Sequence, residues 1–201
     1  MPIISQETIT NLPTFRDITL KIKQIFPAIP FAALLAACSQ SSPPSATLFK
    51  PIATLQDIMQ SIIDPNVDFV WNAVSSVSTA EGTQEHRPET DEEWEQLRQH
   101  ALTLAEAGNL LLIENRIVAH QNANTSSGGA ELNSQDIQKL IESNREDYVQ
   151  RVHSLQNATE LVLAAIDKKN ADELEKAGGD VEHACEQCHS QFWYPNDKRP
   201  K

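Results

Sequence analysis

Near its C-terminal end the chain carries His183-Ala184-Cys185-Glu186-Gln187-Cys188-His189, which brings two thiols and an imidazole into one short stretch. A Cys-x-x-Cys-His run is the attachment signal for a covalently held haem: the thiols add to the two vinyl groups, and the next imidazole takes an axial position on iron. On a helix these residues fall at i, i+3 and i+4, so Cys185, Cys188 and His189 share one face. Cys-x-x-Cys alone also serves as a redox dithiol or as half of a zinc site. A structural zinc site needs four protein ligands, and the only further cysteine is Cys38. A thioredoxin-like dithiol would follow a strand in an alternating strand and helix pattern, and no such pattern is visible. Haem c is the cofactor these residues favour.

Four helical segments must position that face. The first begins near Thr54, with Thr54 and Asp57 in a capping arrangement, and Leu55, Ile58, Met59, Ile62, Phe69, Ala73 and Val77 recur at helical spacing. Pro65 lies inside it and should kink or split it around Asp64-Pro65-Asn66. Thr79 to Glu89 reads as a polar linker. The second segment opens on Thr90 with Glu93 three residues on, and Trp94, Leu97, Ala101, Leu104, Gly108, Leu111 and Val118 form its seam. Gln121 to Ala130 is a loop by composition. The third runs from about Ser134 to Lys169 as one long helix with Ile137, Leu140, Ile141, Tyr148, Val152, Leu155, Val162 and Ile166 on a stripe, and Lys168 and Lys169 suit the negative end of its dipole. Asn170 caps the fourth, which turns Leu174, Ala177, Val181, Ala184 and Cys188 inward. Gly178 and Gly179 in its middle predict either a close approach to something bulky, with haem the obvious object, or a break between two short helices.

Outside this region the sequence carries an address. Lys21 and Lys23 precede an apolar run from Ile25 to Ala37, and the run ends in Leu35-Ala36-Ala37-Cys38. This resembles the lipobox of bacterial lipoproteins, which implies a signal peptide over 1–37 and acylation of Cys38. Residues 38–52 then form a flexible tether, 53–195 the helical domain and 196–201 a polar tail. The expected location is extracytoplasmic, on the periplasmic side, with lipid anchoring to the outer membrane. The net charge of -12 becomes -13 without 1–37, since Arg16, Lys21 and Lys23 there outnumber Glu7 and Asp17. Such a field repels nucleic acid and favours a redox partner protein with basic patches.

Four helices with the attachment motif on the last resemble the class II c-type cytochromes, the cytochrome c-prime group. The resemblance covers about 54–194, and its specific part is the Cys-x-x-Cys-His motif. It implies an all-α fold, a left-handed antiparallel four-helix bundle with covalent haem on the C-terminal helix. It also implies thioether roles for Cys185 and Cys188, a proximal axial role for His189, and dimerisation through the first two helices. In this group a residue on the first helix faces the open side of iron. Of the two methionines, Met1 is lost with the signal, so a thioether ligand would be Met59; otherwise Met59 fills a core gap beside Ile58 and Ile62. His86, His100, His120 and His153 are alternative second ligands, whereas His183 shares a helix with His189. The group often carries a basic residue shortly after the haem histidine, but here Ser190-Gln191-Phe192-Trp193-Tyr194 follows.

Three functions follow from these readings. The first is a one-electron carrier rather than an enzyme, with His/Met ligation. The second is a five-coordinate haem protein binding nitric oxide or carbon monoxide. The third is a helical adaptor lipoprotein without haem.

Overall fold

The computed structural model describes residues 49–80, 82–123 and 129–198. The chain divides into Met1–Ser45 and Ala46–Lys201, and only the second unit contains described residues. The expected signal segment and Cys38 lie outside them.

The first helix opens at Thr54, whose hydroxyl accepts from the Asp57 amide while the Asp57 carboxylate accepts from the Thr54 amide. That capping box satisfies two amides that an unprotected helix start would leave exposed. Three pieces continue without a gap: α1 (Leu55–Ile58), a π-turn (Met59–Ile63) and α2 (Asp64–Ala73). Pro65 therefore neither ends nor splits the helix. It has no amide to donate, and the wider turn just before it absorbs the loss, with Asp64 N–H reaching back to the Met59 carbonyl and the Asn66 side chain donating to Ile62 O at 2.6 Å.

Helix formation stops at Ala73, so Val77 is not a core residue: it is 56% exposed in a hairpin of β1 (Ser75–Thr79) and β2 (Gly82–His86). These antiparallel strands pair Ser75 with His86 and Thr79 with Gly82. The polar linker expected there is thus partly sheet, the one departure from an all-α chain among the described residues. Phe69 also leaves the core and stacks on His100 with ring centroids 3.8 Å apart.

α3 (Asp91–Leu112) starts on a second capping box, Thr90 with Glu93. It ends before Val118, which is buried from the irregular segment beyond, where Ile117 O and Val118 O accept from Leu55 N and Gln56 N. The expected third helix is two helices, α4 (Ser134–Ser143) and α5 (Arg145–Asp167). Asn144 breaks it at φ −129 and ψ 47, and its side-chain amide takes the Leu140 carbonyl at 2.9 Å. Asparagine can satisfy the backbone locally in this way, and an apolar stripe that continues past it hides the break. Asn170 caps α6 (Ala171–Phe192) as expected.

The long helices form a four-helix bundle whose neighbours run antiparallel, as their cross-contacts show. Asn66 meets His100, Arg98 meets Asp167, Gly108 meets Gln156, and Arg151 meets Gln187 and Gln191. Leu97, Ala101, Leu104, Val152, Val162, Ile166, Leu174 and Val181 fill the core between α3, α5 and α6.

Two glycines test this packing. A Cβ at Gly108 would stand 2.6 Å from Gln156 Cγ, whereas one at Gly179 would meet nothing within 4 Å. Gly108→Ala should lower stability by about 1–3 kcal/mol through overpacking. Gly179→Ala should gain up to about 1 kcal/mol of helix propensity. Urea denaturation midpoints check both, and a Gly108→Ala protein as stable as the parent would contradict the fixed placement of the Gln156 side chain against Gly108.

Candidate functional site

The fourth side of the bundle is open. α2 and α6 meet at one end, where the Trp71 indole N–H donates to Gly178 O at 3.0 Å. Below that latch they diverge around a cavity of ≈ 1180 Å³. Protein interiors leave few voids larger than a water molecule, and pockets for small ligands hold about 300–1,000 Å³. This space is large enough to hold a bound group.

One wall comes from the first helix: Met59, Ile63, Asp64, Val67, Asp68 and Trp71. The π-turn sets that face, because its extra residue per turn brings Ile63 and Asp64 side by side toward the gap. The opposite wall is α6 from Glu182 to Gln191, which includes Cys185, Cys188 and His189, while Leu111, Val152 and Leu155 close the floor. Gly178 and Gly179 are outside this lining. The helix runs unbroken through them, and the bulky neighbour of Gly178 is Trp71, 3.5 Å from where a Cβ would stand.

α6 ends on the site. Trp193 N–H and Tyr194 N–H both donate to His189 O, at 2.8 and 3.1 Å, and Leu132 N–H donates to Trp193 O at 2.8 Å. These bonds fix the backbone under the imidazole. A second cavity of ≈ 260 Å³ also borders His189 and is lined by Gln56, Met59, Gln60, Asp64, Glu131, Trp193 and Tyr194 as well. Met59, Asp64 and His189 thus border both spaces.

Burial dominates the electrostatics. It pushes the Cys185 thiol up to about 11, helped by the Asp64 carboxylate, and the Cys188 thiol up to about 12, with Arg151 opposing. Neither thiol is in a disulfide. Burial also lowers the His189 pKa, so the imidazole is held neutral, the form that ligates metal, against the opposing pull of Asp64, Glu186 and Glu131. Asp64 is raised, first by burial and then by repulsion from Asp68.

The donor set suits haem c: two unionised thiols and a neutral imidazole on one helical face, beside a void of the right order with an apolar floor and walls of mixed polarity. Of the other histidines, His120 pairs with Asp57 at 3.0 Å and His100 bonds Asn66 at 2.8 Å, while His86 and His153 are exposed; none of the four lines the large cavity. His183 does line it, from the same helix as His189, and its ring contacts Gln187.

Trp71, Arg151 and Asp64 are among the lining residues that the sequence reading did not assign to the site. Trp71 follows α2 periodicity and carried no separate signal. Arg151 comes from α5 and bonds Gln187 and Gln191, the latter at 2.7 Å. Asp64 had one signal, an acid beside proline within an apolar stripe.

A family model described as Cytochrome C' matches residues 95–193, which takes in α4 to α6, most of α3 and the motif but not Met59 or Asp64. Solved structures are also similar. One named cytochrome c' is 18% identical with a TM-score of 0.43, covering 70% of this chain and 98% of its own. A nitric oxide complex of a mutant cytochrome c prime from Alcaligenes xylosoxidans is 19% identical with a TM-score of 0.42, covering 70% and 96%. A ferrous variant from the same organism with bound nitric oxide has the same identity and TM-score, covering 70% and 98%. No curated protein matches the sequence.

The raised thiols give a direct test. In haem-free protein at pH 8, iodoacetamide should alkylate Cys185 and Cys188 roughly a hundredfold more slowly than an exposed cysteine, because so little thiolate is present. Urea should abolish the difference. Mass spectrometry of timed samples reads both, and fast labelling of the folded chain would contradict the burial.

Proposed function

Because the chain belongs to the cytochrome c-prime family and binds haem c, we propose that it is an extracytoplasmic one-electron carrier with His189 and Met59 as axial ligands. Cys185 and Cys188 hold the macrocycle as thioethers. Bound haem would supply the one-electron redox chemistry. The chain does the rest. His189 is seated on the last turn of α6, and Met59 lies on the helix that faces it across the same cavity. Ile63, Val67, Val152 and Leu155 exclude water from that space and limit reorganisation when charge changes. The single observation that supports this reading most is the shared lining of the gap by Met59 and the motif residues.

A second reading has a specific support. Met59 is only half-buried beside a large cavity, which leaves room for a small gas next to it. Two of the similar structures are nitric oxide complexes by title. In that reading Met59 fills space and does not ligate.

Location and partners belong to the same proposal. Among the described residues no helix is long and apolar enough to cross a membrane. Cys38 would instead carry acyl chains and tether the domain on the periplasmic side, at the outer membrane, through residues 38–52. The acidic surface suits a redox partner with basic patches. Cytochromes c-prime are commonly dimeric, and a homodimer here would use the first two helices.

Protein made in a host with c-type maturation machinery should give a positive pyridine haemochrome, and a colourless product would remove the proposal. Met59→Ala should convert a low-spin ferric spectrum with a thioether charge-transfer band into a high-spin one; an unchanged high-spin spectrum would favour gas binding. Separately, Cys38→Ser should move the protein from the membrane to the soluble fraction and abolish palmitate labelling. A soluble parent protein would remove the anchor.

A further inference from the structure

The end of the domain where α1 begins carries apolar side chains that folding does not use. Of the eight large apolar side chains exposed among the described residues, Ile52, Phe49 and Ile117 belong to this end, at 85%, 62% and 52% exposure. A loose chain is not the reason. Arg116, itself buried, donates to Ala53 O and, at 2.9 Å, to Leu110 O. Leu55 N–H and Gln56 N–H donate to Ile117 O and Val118 O, both at 2.9 Å. The segments that carry Ile52 and Ile117 are therefore tied to each other, and Leu55 and Val118 beside them are buried. Apolar surface held outward forgoes about 25 cal/mol for each Å² left in water, and grouped surface of this kind marks a place of contact.

Charge narrows the choice of partner. Residues 49–58 carry Lys50 and Asp57, and residues 113–120 carry Glu114 and Arg116, so charge cancels here in a chain whose net charge is -12. A basic protein is drawn to the acidic remainder of the surface, whereas a lipid surface meets no repulsion at this end. The polypeptide entering here is also the one that leads back to Cys38. Ten residues, 39–48, separate that cysteine from Phe49, and a chain of that length reaches no more than about 40 Å when fully extended. Acyl groups on Cys38 would keep this end within that distance of the bilayer, at a high effective concentration.

We propose that Phe49, Ile52 and Ile117 form a lipid-contacting surface that seats the domain on a zwitterionic bilayer, with Lys50 at headgroup level. This rests on the acylation of Cys38. The acyl chains supply attachment, and the apolar side chains, entering the boundary between headgroups and hydrocarbon, supply orientation. The same end carries the haem-attachment turn: Gln56, bonded to Val118 O, borders the smaller cavity together with His189. A domain seated in this way presents that turn beside the membrane.

The test uses mature, acylated holo-protein in vesicles of phosphatidylcholine and phosphatidylethanolamine, with the protein mass read first. Ile117→Cys and Leu161→Cys replace side chains that are 52% and 53% exposed, so the fold alone favours neither. Arg145, at the start of α5, donates to Leu112 O at 2.7 Å, and Leu161 lies about 24 Å further along that helix. A charged methanethiosulfonate reagent, which stays in water, should modify the Ile117→Cys protein about tenfold more slowly than the Leu161→Cys protein. Ile52→Cys should be shielded like Ile117→Cys, which keeps the test open if the latter does not fold. Equal rates at all three positions overturn the proposal. Shielding that vanishes when the protein is spread over more lipid overturns it too, because a second copy then covers the surface. A mass without acyl groups would instead remove the anchor reading beneath it, before any reagent is added.

Discussion

The structure turns on a helix pair that does not close. α3, α5 and α6 pack side by side through small and branched side chains, and α2 packs on α3. Between α2 and α6 the only bond described is the one from the Trp71 indole to Gly178 O. Apolar helix faces left apart in water lose the burial that holds a bundle together, at about 25 cal/mol for each Å². A group bound in the gap would restore that burial. The same opening explains why the thiols and the imidazole are half-buried rather than packed: all three line the cavity.

Much of this was legible in the sequence, for identifiable reasons. Capping residues announce helix starts because they satisfy specific amides, and Thr54, Thr90 and Asn170 all do so. The motif at Cys185 is local and needs no tertiary context. What escaped depended on choices the apolar pattern does not record. Asn144 interrupts a stripe that continues on both sides. The strands at Ser75–Thr79 and Gly82–His86 bury little, so no alternation marks them. The π-turn shifts a helical face by one residue while leaving the spacing of apolar positions intact.

The electrostatic character of the site was the least legible part. Read along the chain, the segment after His189 looks neutral, and its effect on an iron centre has no clear sign. In three dimensions the ring is bordered by acids drawn from separate places: the first helix, the segment before α4, and one turn back along α6. Arg151, from α5, acts in the opposite sense on Cys188. Such a balance arises only when distant segments are brought together, and no spacing rule along one helix encodes it.

The way α6 stops has a mechanical side. Helix ends ordinarily fray, yet the imidazole with the strictest positional demand stands on the final wind. Two amides clasp the carbonyl beneath it, and the chain just past it is pinned by Leu132. All three bonds use main-chain atoms only, so the aromatic side chains at 193 and 194 can vary without loosening the seat. The steadiness of the ring is borrowed from a stretch of polypeptide that lies ahead of α4, α5 and α6 in the chain.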